Sequence, residues 1–284
     1  MNNIYQEAIV MAFNQKSREE FFNKAKKKVH VAISSRDNLL IQSVAAVDEL
    51  NKSSNLLFER LTEWYGMHFP ELKLQDNAKY VSAVLLLDRK NPDVKSLEAA
   101  LGPQAPTIAG RAKVSVGTDL SAEDLSQVRS LALQIQSIWK LRDEVEKYEA
   151  KIATELCPNM SHIAGPELAA KLVAQAGGLQ RIASFPSSTI QVLGAEKALF
   201  KHLKSGSRPP KHGLIFQHAL VGKSPRHVRG KIARALAAKL TIASKADYIS
   251  HNFIAEKLKQ QFEAQAQRIM ARQGARPGGK PGAV

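Results

Sequence analysis

Gly222-Lys223-Ser224 has the residue types that close a phosphate-binding loop, where glycine amides and a lysine cradle a triphosphate. The opening glycine of such a loop would stand at position 217, which is Gln217, so the tight turn that makes the cradle is missing. Gly177-Gly178 lies between helical segments rather than after a strand, and so is no dinucleotide fingerprint. The eight histidines show no paired spacing of the kind a helix-borne zinc site needs. Cys157 is the single cysteine, which excludes an intrachain disulfide and a multi-cysteine zinc site, and it reads as a buried, inert thiol. Acids are sparse where the bases are dense, and elsewhere they have the spacing of solvated helix faces. Neither an enzyme nor a cofactor is expected.

What remains to do chemistry is charge. The chain of 284 residues carries a formal net charge of +15 with a pI near 9.9. Residues 1–150 hold 20 Lys and Arg against 20 Asp and Glu, so the excess belongs entirely to residues 151–284, with 21 bases and 6 acids. Between Arg181 and Lys245 there are 13 bases and one acid, Glu196. Such an asymmetry marks two parts with different partners, the second polyanionic. Within it, Lys197, Lys201 and Lys204 fall at helical steps onto one face. Arg208 rides the stiff loop tip Gly206-Ser-Arg-Pro-Pro, followed by Lys211, Lys223, Arg226, Arg229, Lys231 and Arg234. Phe200, His202, Phe216, His218 and His227 supply scarce stacking groups for an RNA. Each phosphate neutralised releases counterions, so binding through these groups should weaken steeply with salt. A basic surface that serves only solubility is the competing reading.

The elements that must position these residues are helices throughout. Apolar residues recur at Leu40, Val44, Val47, Leu50, Leu57, Leu61 and Trp64, and again from Leu125 through Leu131, Ile135, Ile138, Leu141 and Val145 to Ile152. Ser121-Ala-Glu-Asp gives the second run an N-cap with acids in its first turn. Two long helices joined by the Pro- and Gly-containing stretch at about 67–120 predict an antiparallel coiled-coil hairpin over 36–157, with room for one short helix near Tyr80–Leu87. Residues 1–35 read as a helical remnant or linker. From Pro158 to 273 the punctuation predicts a compact domain of shorter helices, including Arg229–Lys245 with Ile232, Leu236, Leu240 and Ala243 inward. Residues 274–284 read as a flexible basic tail. No apolar run nears the roughly 20 residues that span a bilayer, and Met1-Asn-Asn-Ile-Tyr lacks the layout of a signal peptide, so a cytoplasmic chain with no membrane partner is expected.

Several blocks then resemble one family. Pro186-Ser-Ser-Thr-Ile-Gln-Val followed by Leu193-Gly-Ala-Glu-Lys-Ala-Leu-Phe is similar to the signature of the Nop domain. Lys211-His-Gly-Leu-Ile-Phe-Gln and Arg229-Gly-Lys-Ile-Ala-Arg-Ala-Leu continue the pattern in order, and Leu61-Thr-Glu-Trp-Tyr-Gly-Met-His-Phe-Pro resembles the family's coiled-coil segment. Asp247-Tyr-Ile and Ile254-Ala-Glu-Lys-Leu complete a resemblance over roughly residues 20–272.

The resemblance implies an all-α, archaeal-type scaffold of box C/D small RNPs, which guide RNA ribose 2′-O-methylation. In such a protein the coiled coil pairs with a second copy, giving a homodimer, and carried onto this sequence the dimerisation surface is the seam Leu131, Ile135, Ile138, Leu141 and Val145. The Nop domain recognises a guide RNA kink-turn together with a small, ribosomal-like kink-turn-binding protein, and fibrillarin with its S-adenosylmethionine performs the methylation. A eukaryotic member would be nucleolar. Carried onto this sequence, Leu168, Leu172 and Gln175 face the kink-turn protein, with core packing the stronger reading for both leucines. Glu196 becomes a structural partner for a neighbouring Lys or Arg, and Gln217 stands where the spliceosomal relative has a stacking histidine, with His218 next to it. Family members carry a further N-terminal domain of about a hundred residues that docks fibrillarin, whereas fewer than 36 residues precede the coiled coil here. A shortened form is therefore expected, and fibrillarin docking does not follow for it. Two alternatives stay open: a coiled-coil adaptor docking an acidic protein, and a Nop-domain subunit of another RNP.

Overall fold

The structure is a computed structural model that describes residues 17–27, 29–30 and 35–274, with side chains to 271. Among them every regular element is helical, as the sequence predicts. In chain order they are α1 (Arg36–His68), α2 (Asn77–Leu86), α3 (Val94–Leu101), α4 (Ala105–Lys113) and α5 (Ala122–Leu156). There follow α6 (Pro158–Ala164), α7 (Pro166–Ala176), α8 (Leu179–Ser184), α9 (Ser187–Val192), α10 (Glu196–Ser205), α11 (Ala219–Gly222), α12 (Arg229–Lys245) and α13 (Ala255–Gly274). The described residues fall into two compact units: Ser43–Tyr148, and those up to Gln42 together with those from Glu149 onward. The predicted tail lies outside the described residues.

In the unit Ser43–Tyr148, α1 and α5 pair in opposite senses. Arg142 reaches Asn51 (3.5 Å), while Phe58, further along α1, meets Trp139, earlier in α5, at 6.4 Å between ring centroids. Leu61 and Tyr65 share one buried cluster with Val128, Ala132 and Ile135. The expected cap of α5 is present. The Ser121 hydroxyl accepts from the Asp124 amide (3.1 Å), and the Asp124 carboxylate accepts from the Ser121 amide (3.3 Å).

Of the seam from Leu131 to Val145, this packing takes up Ile135 and, in part, Leu131. Ile135 is 0% exposed inside the cluster, Leu131 packs against the same cluster, and Ile138 and Val145 are half-buried. Leu141, 48% exposed, is the member left open to a partner.

The stretch between the long helices is also more ordered than expected, since three helices form where one was predicted. Asp76 and Asp93 cap α2 and α3 through side-chain oxygens. Pro106 stands in the first turn of α4, where a missing N–H costs nothing, so it starts a helix rather than breaking one.

In the other unit α12 is the central strut. Ile232, Ala233, Ala235, Leu236, Ala237, Leu240 and Ala243 are buried on more than one of its sides, against α6, α8, α9 and α13. Its alanines let several helices approach closely, since interaxial distance follows side-chain size. Pro158 ends the long helix and begins α6, and the N-terminus of α6 is closed by a carboxylate from far along the chain. Buried Asp247 accepts from the amides of Asn159 (2.9 Å) and Met160 (3.0 Å) and from the Asn159 side chain (2.7 Å). Asn159 in turn donates to the Asn252 carbonyl (2.9 Å) and accepts from the Ile254 amide (2.7 Å), which fixes the turn into α13. Desolvation raises the Asp247 pKa despite these donors. Cys157, buried beside them, has its thiol pushed up to about 12 by burial, in keeping with an inert role.

Asp247→Ala would leave two buried amides and one side-chain amide without an acceptor. It is expected to lower stability by roughly 3 kcal/mol or more, read as a drop in the urea midpoint with helix content retained in the folded baseline.

Candidate nucleic-acid interface

Two segments of the basic half cross at the start of α10. Gly213 donates to the Gln191 carbonyl (2.9 Å) and Leu214 to the Leu193 carbonyl (2.8 Å), strapping the loop after α10 onto the α9–α10 junction. The approach is so close that a Cβ on Gly213 would lie 1.9 Å from the Leu193 oxygen. Gly194, at φ +85°, faces Leu214, whose side chain would stand 2.5 Å from an added Cβ. These two glycines belong to the two motif blocks singled out in the sequence, and the crossing gives both a physical reason.

Glu196 completes the corner. Its Oε1 accepts from the Gly194 amide (2.7 Å) and from Gln175 (3.2 Å), and these hydrogen bonds hold its carboxyl below the ordinary range although desolvation opposes them. The expected Lys or Arg partner is thus replaced by backbone and amide donors. A carboxylate in the first turn of α10 also lies favourably at the positive end of that helix.

Beyond the crossing the loop delivers its cations to the start of α12. Gln191 donates to the Lys211 carbonyl (2.7 Å), and the Lys211 side chain lies against Gly230. Lys197, Lys201 and Lys204 are all exposed on α10, as are Arg208, Lys211, Lys223, Arg226, Lys231 and Arg234. The ion pairs among the described residues involve none of them. Arg229 and Lys231 stand in the first turn of α12, which has no acid to offset them. The positive end of a 17-residue helix therefore carries two more positive charges, an arrangement that disfavours itself and favours an approaching anion.

Some predicted site residues have other duties. Arg229 is half-buried and donates to the carbonyls of Gly222 (3.2 Å) and Ser224 (3.0 Å), so it braces the α11–α12 turn as well as adding charge. His218 is turned inward, which corrects its reading as a stacking group. Its Nδ1 accepts from the Leu220 amide (3.3 Å), its ring meets Phe262 edge-on at 5.4 Å, and burial depresses its pKa. Gln217 is exposed and is approached by Lys171 at 3.5 Å.

Leu168 and Leu172 are buried in the core of their own unit, so core packing takes them out of the protein-facing set, while Gln175 stays exposed beside Glu196. Gln175, Arg181, Phe185, Leu193 and Glu196 line a surface cleft of about 380 Å³. His212 carries no functional signal in the sequence beyond its place four residues before Phe216, against which the structure stacks it. No group of three or more His, Cys, Asp or Glu among the described residues could hold a metal ion, and none of their helices is long and apolar enough to cross a membrane.

These features define an all-α protein whose C-terminal half presents exposed cations, outside any ion pair among the described residues, on α10, the loop after it and the first turns of α12. The sequence family described as "Nop: snoRNA binding domain, fibrillarin" matches residues 46–268, and the chain belongs to the Nop family. A NOP5 family protein of Methanocaldococcus jannaschii is 43% identical over 248 residues, covering 86% of this chain and 60% of the relative. Nucleolar protein 56 of Homo sapiens is 36% identical over 247 residues, covering 83% of this chain and 42% of the relative. The chain thus spans between two fifths and three fifths of the length of these curated relatives. Among solved structures, a chain of a fibrillarin/NOP5p complex shares the fold at TM-score 0.52 and 24% identity, over 90% of this chain and 78% of that one.

Gly213→Ala should cost about 1–3 kcal/mol through the forced backbone shift, seen as a lower melting temperature and faster proteolytic cleavage in the loop 206–213. A pH effect follows from His218. Its folded pKa lies below the ordinary 6.5, so the unfolded chain binds the proton first. Stability is then full above pH 6.5 and falls as pH drops into the depressed range. His218→Ala should flatten part of that urea-midpoint profile, leaving the contribution of His212, whose pKa is lowered too.

Proposed function

We propose that this chain is a non-catalytic scaffold of a box C/D small RNP that guides ribose 2′-O-methylation of RNA. The observation that carries the reading is the set of exposed cations, free of ion pairs, on α10, the loop after it and the acid-free N-terminal turn of α12. A surface built for solubility alone would gain nothing from charging the positive end of a helix. Membership of the Nop family and the likeness to nucleolar protein 56 support RNA of the small nucleolar class as the polyanion.

In this reading the basic unit binds a kink-turn in the guide RNA together with a small kink-turn-binding protein. Gln175 and the cleft beside it face that protein, and the lysines and arginines of α10, the following loop and α12 face phosphates. Phosphate contacts position such a complex, whereas shape and unpaired bases give it specificity. Self-association would use what α5 leaves exposed, including Leu141. In this reading methyl transfer and its S-adenosylmethionine belong to fibrillarin, a partner in keeping with the family match. The protein would be nucleolar in a eukaryote and cytoplasmic in an archaeon.

The test is binding of a kink-turn RNA, with and without its kink-turn protein, over a salt series. Lys201→Glu with Lys204→Glu is expected to weaken binding and to shallow the log–log salt slope by roughly 1.5–2, with the circular-dichroism melt unchanged. Complexes that survive RNase, or affinity indifferent to the kink-turn protein, would sink the proposal in favour of an adaptor for an acidic protein.

A further inference from the structure

The turn between α12 and α13 is both strained and firmly held. Ala246–Ser250 winds as one π-helical turn, a rare form that recurs at functional sites. His251 follows at φ +53°, the only residue other than glycine with a positive φ among the described residues. Its amide donates to the Ala246 carbonyl (2.7 Å), which closes the turn. Asn159 of α6 then pins both sides, bonding Asp247 (2.7 Å), the Asn252 carbonyl (2.9 Å) and the Ile254 amide (2.7 Å). What this scaffold presents is apolar. Tyr248, Ile249, Phe253 and Ile254 are 40%, 70%, 56% and 37% exposed, four large side chains within seven residues. The His162 ring steadies Phe253 edge-on at 5.5 Å. Single exposed apolar residues are ordinary, but a cluster on a fixed turn marks an interaction surface. Its surroundings are positive. Lys245 stands three and four residues before Tyr248 and Ile249, and Lys257 three and four after Ile254 and Phe253, so each is about one turn away. Both are exposed and outside any ion pair among the described residues. α6, α8 and α12, which pack against the turn, contain no Asp or Glu, and between Ile242 and Gln260 the one exposed acid is Glu256.

We propose that this turn docks an acidic amphipathic helix of another protein, with Ile249 and Phe253 against its apolar stripe and Lys245 and Lys257 beside its carboxylates. The charge of the surroundings selects the occupant. The helical segment 17–27 also leaves Phe21 and Phe22 exposed, but it carries four bases to two acids and would be repelled. A second copy of this turn would bring the same lysines to the contact. RNA gains little from Ile249, the most open of the four, because an aliphatic side chain offers no face on which a base stacks. No strand is present among the described residues, so no sheet edge invites an extended peptide, and a helix laid on an apolar surface is the mode that remains. A turn fixed in advance loses little entropy when the partner arrives. The proposal is independent of the RNA reading, which rests on other cations.

The experiment uses the full chain and a fluorescein-labelled peptide of about 16 residues, with leucine at helical spacing and glutamate elsewhere. Binding is followed by fluorescence anisotropy. The controls are a peptide of the same composition in scrambled order and one with lysine in place of glutamate. The acidic amphipathic peptide should bind and both controls should not. Ile249→Asp and Phe253→Ala should each weaken binding about 10- to 30-fold. Lys245→Glu with Lys257→Glu should weaken it too and reduce its dependence on salt. The thermal melt and the affinity for kink-turn RNA should stay unchanged in all of these variants. No binding of the acidic peptide, equal binding of the scrambled one, or wild-type binding by Ile249→Asp would each overturn the proposal. So would a loss, in Ile249→Asp, of binding to single-stranded RNA or to phosphatidylserine-containing vesicles with peptide binding intact, since the surface would then serve nucleic acid or lipid. Should Phe253→Ala lower the melt, the more exposed Ile249→Asp decides alone.

Discussion

The basic unit depends on a backbone crossing that no side chain could share. Where Leu193-Gly194 passes Gly213-Leu214, a carbonyl and an α-carbon come so close that a methyl group on Gly213 would overlap the Leu193 oxygen at 1.9 Å. Two backbone hydrogen bonds, from Gly213 to Gln191 and from Leu214 to Leu193, hold the crossing, and the Glu196 carboxylate holds the corner beside it. The cations of α10 and of the loop after it follow from this point. It sets where α10 starts and hence where its lysines face. It also sets where the loop carries Lys211 and where Phe216 is presented. The loop has no regular structure between Gly206 and Gly213, so without the strap its charges would have no fixed geometry.

Charge and packing are divided cleanly in α12. Its inner sides are alanine, leucine and isoleucine against four neighbouring helices, and its outer side carries Lys231 and Arg234. Cations at the positive end of a helix cost stability when nothing neutralises them. The fold tolerates that because the buried sides contribute more, each large apolar side chain adding about 1.5–3 kcal/mol. A bound polyanion would relieve the repulsion, so binding and stability should rise together. Deeper in, Asp247 closes the N-terminus of α6 from a position 88 residues away, so the segment leading into α13 is tied to the start of α6.

The helices of regular pattern are legible in the sequence because a 3.6-residue apolar period is a local signal. The limits of α12, the cap of α5 at Ser121 and the inward face Ile232, Leu236, Leu240 all appear as the spacing predicts. The segment after α1 is harder to read because its prolines suggest breaks, whereas Pro106 begins a helix, and because aspartate caps carry little weight until the helix behind them is known. At the site, the cations are legible since lysine and arginine stay exposed almost wherever they fall. The roles of Glu196, His218 and His212 are not, since each is set by a partner distant in sequence. Gln175 lies 21 residues from Glu196, Phe262 44 from His218, and Arg229 17 from His212.

The sequence by itself determined that the protein is helical, that its charge sits wholly in one half, and that phosphate-loop, dinucleotide and zinc patterns are broken or missing. Those properties depend on residue type and short-range spacing, which a linear chain states directly. Tertiary structure decided which residues of that half share a surface, which of the seam residues remain open, and that two glycines in separate blocks exist for one contact. Those outcomes depend on which atoms meet across long stretches of chain, and burial assigns them only after the core has formed. A histidine, a leucine and an arginine that read alike as candidate contacts were thereby sorted into a cap, a core residue and a brace.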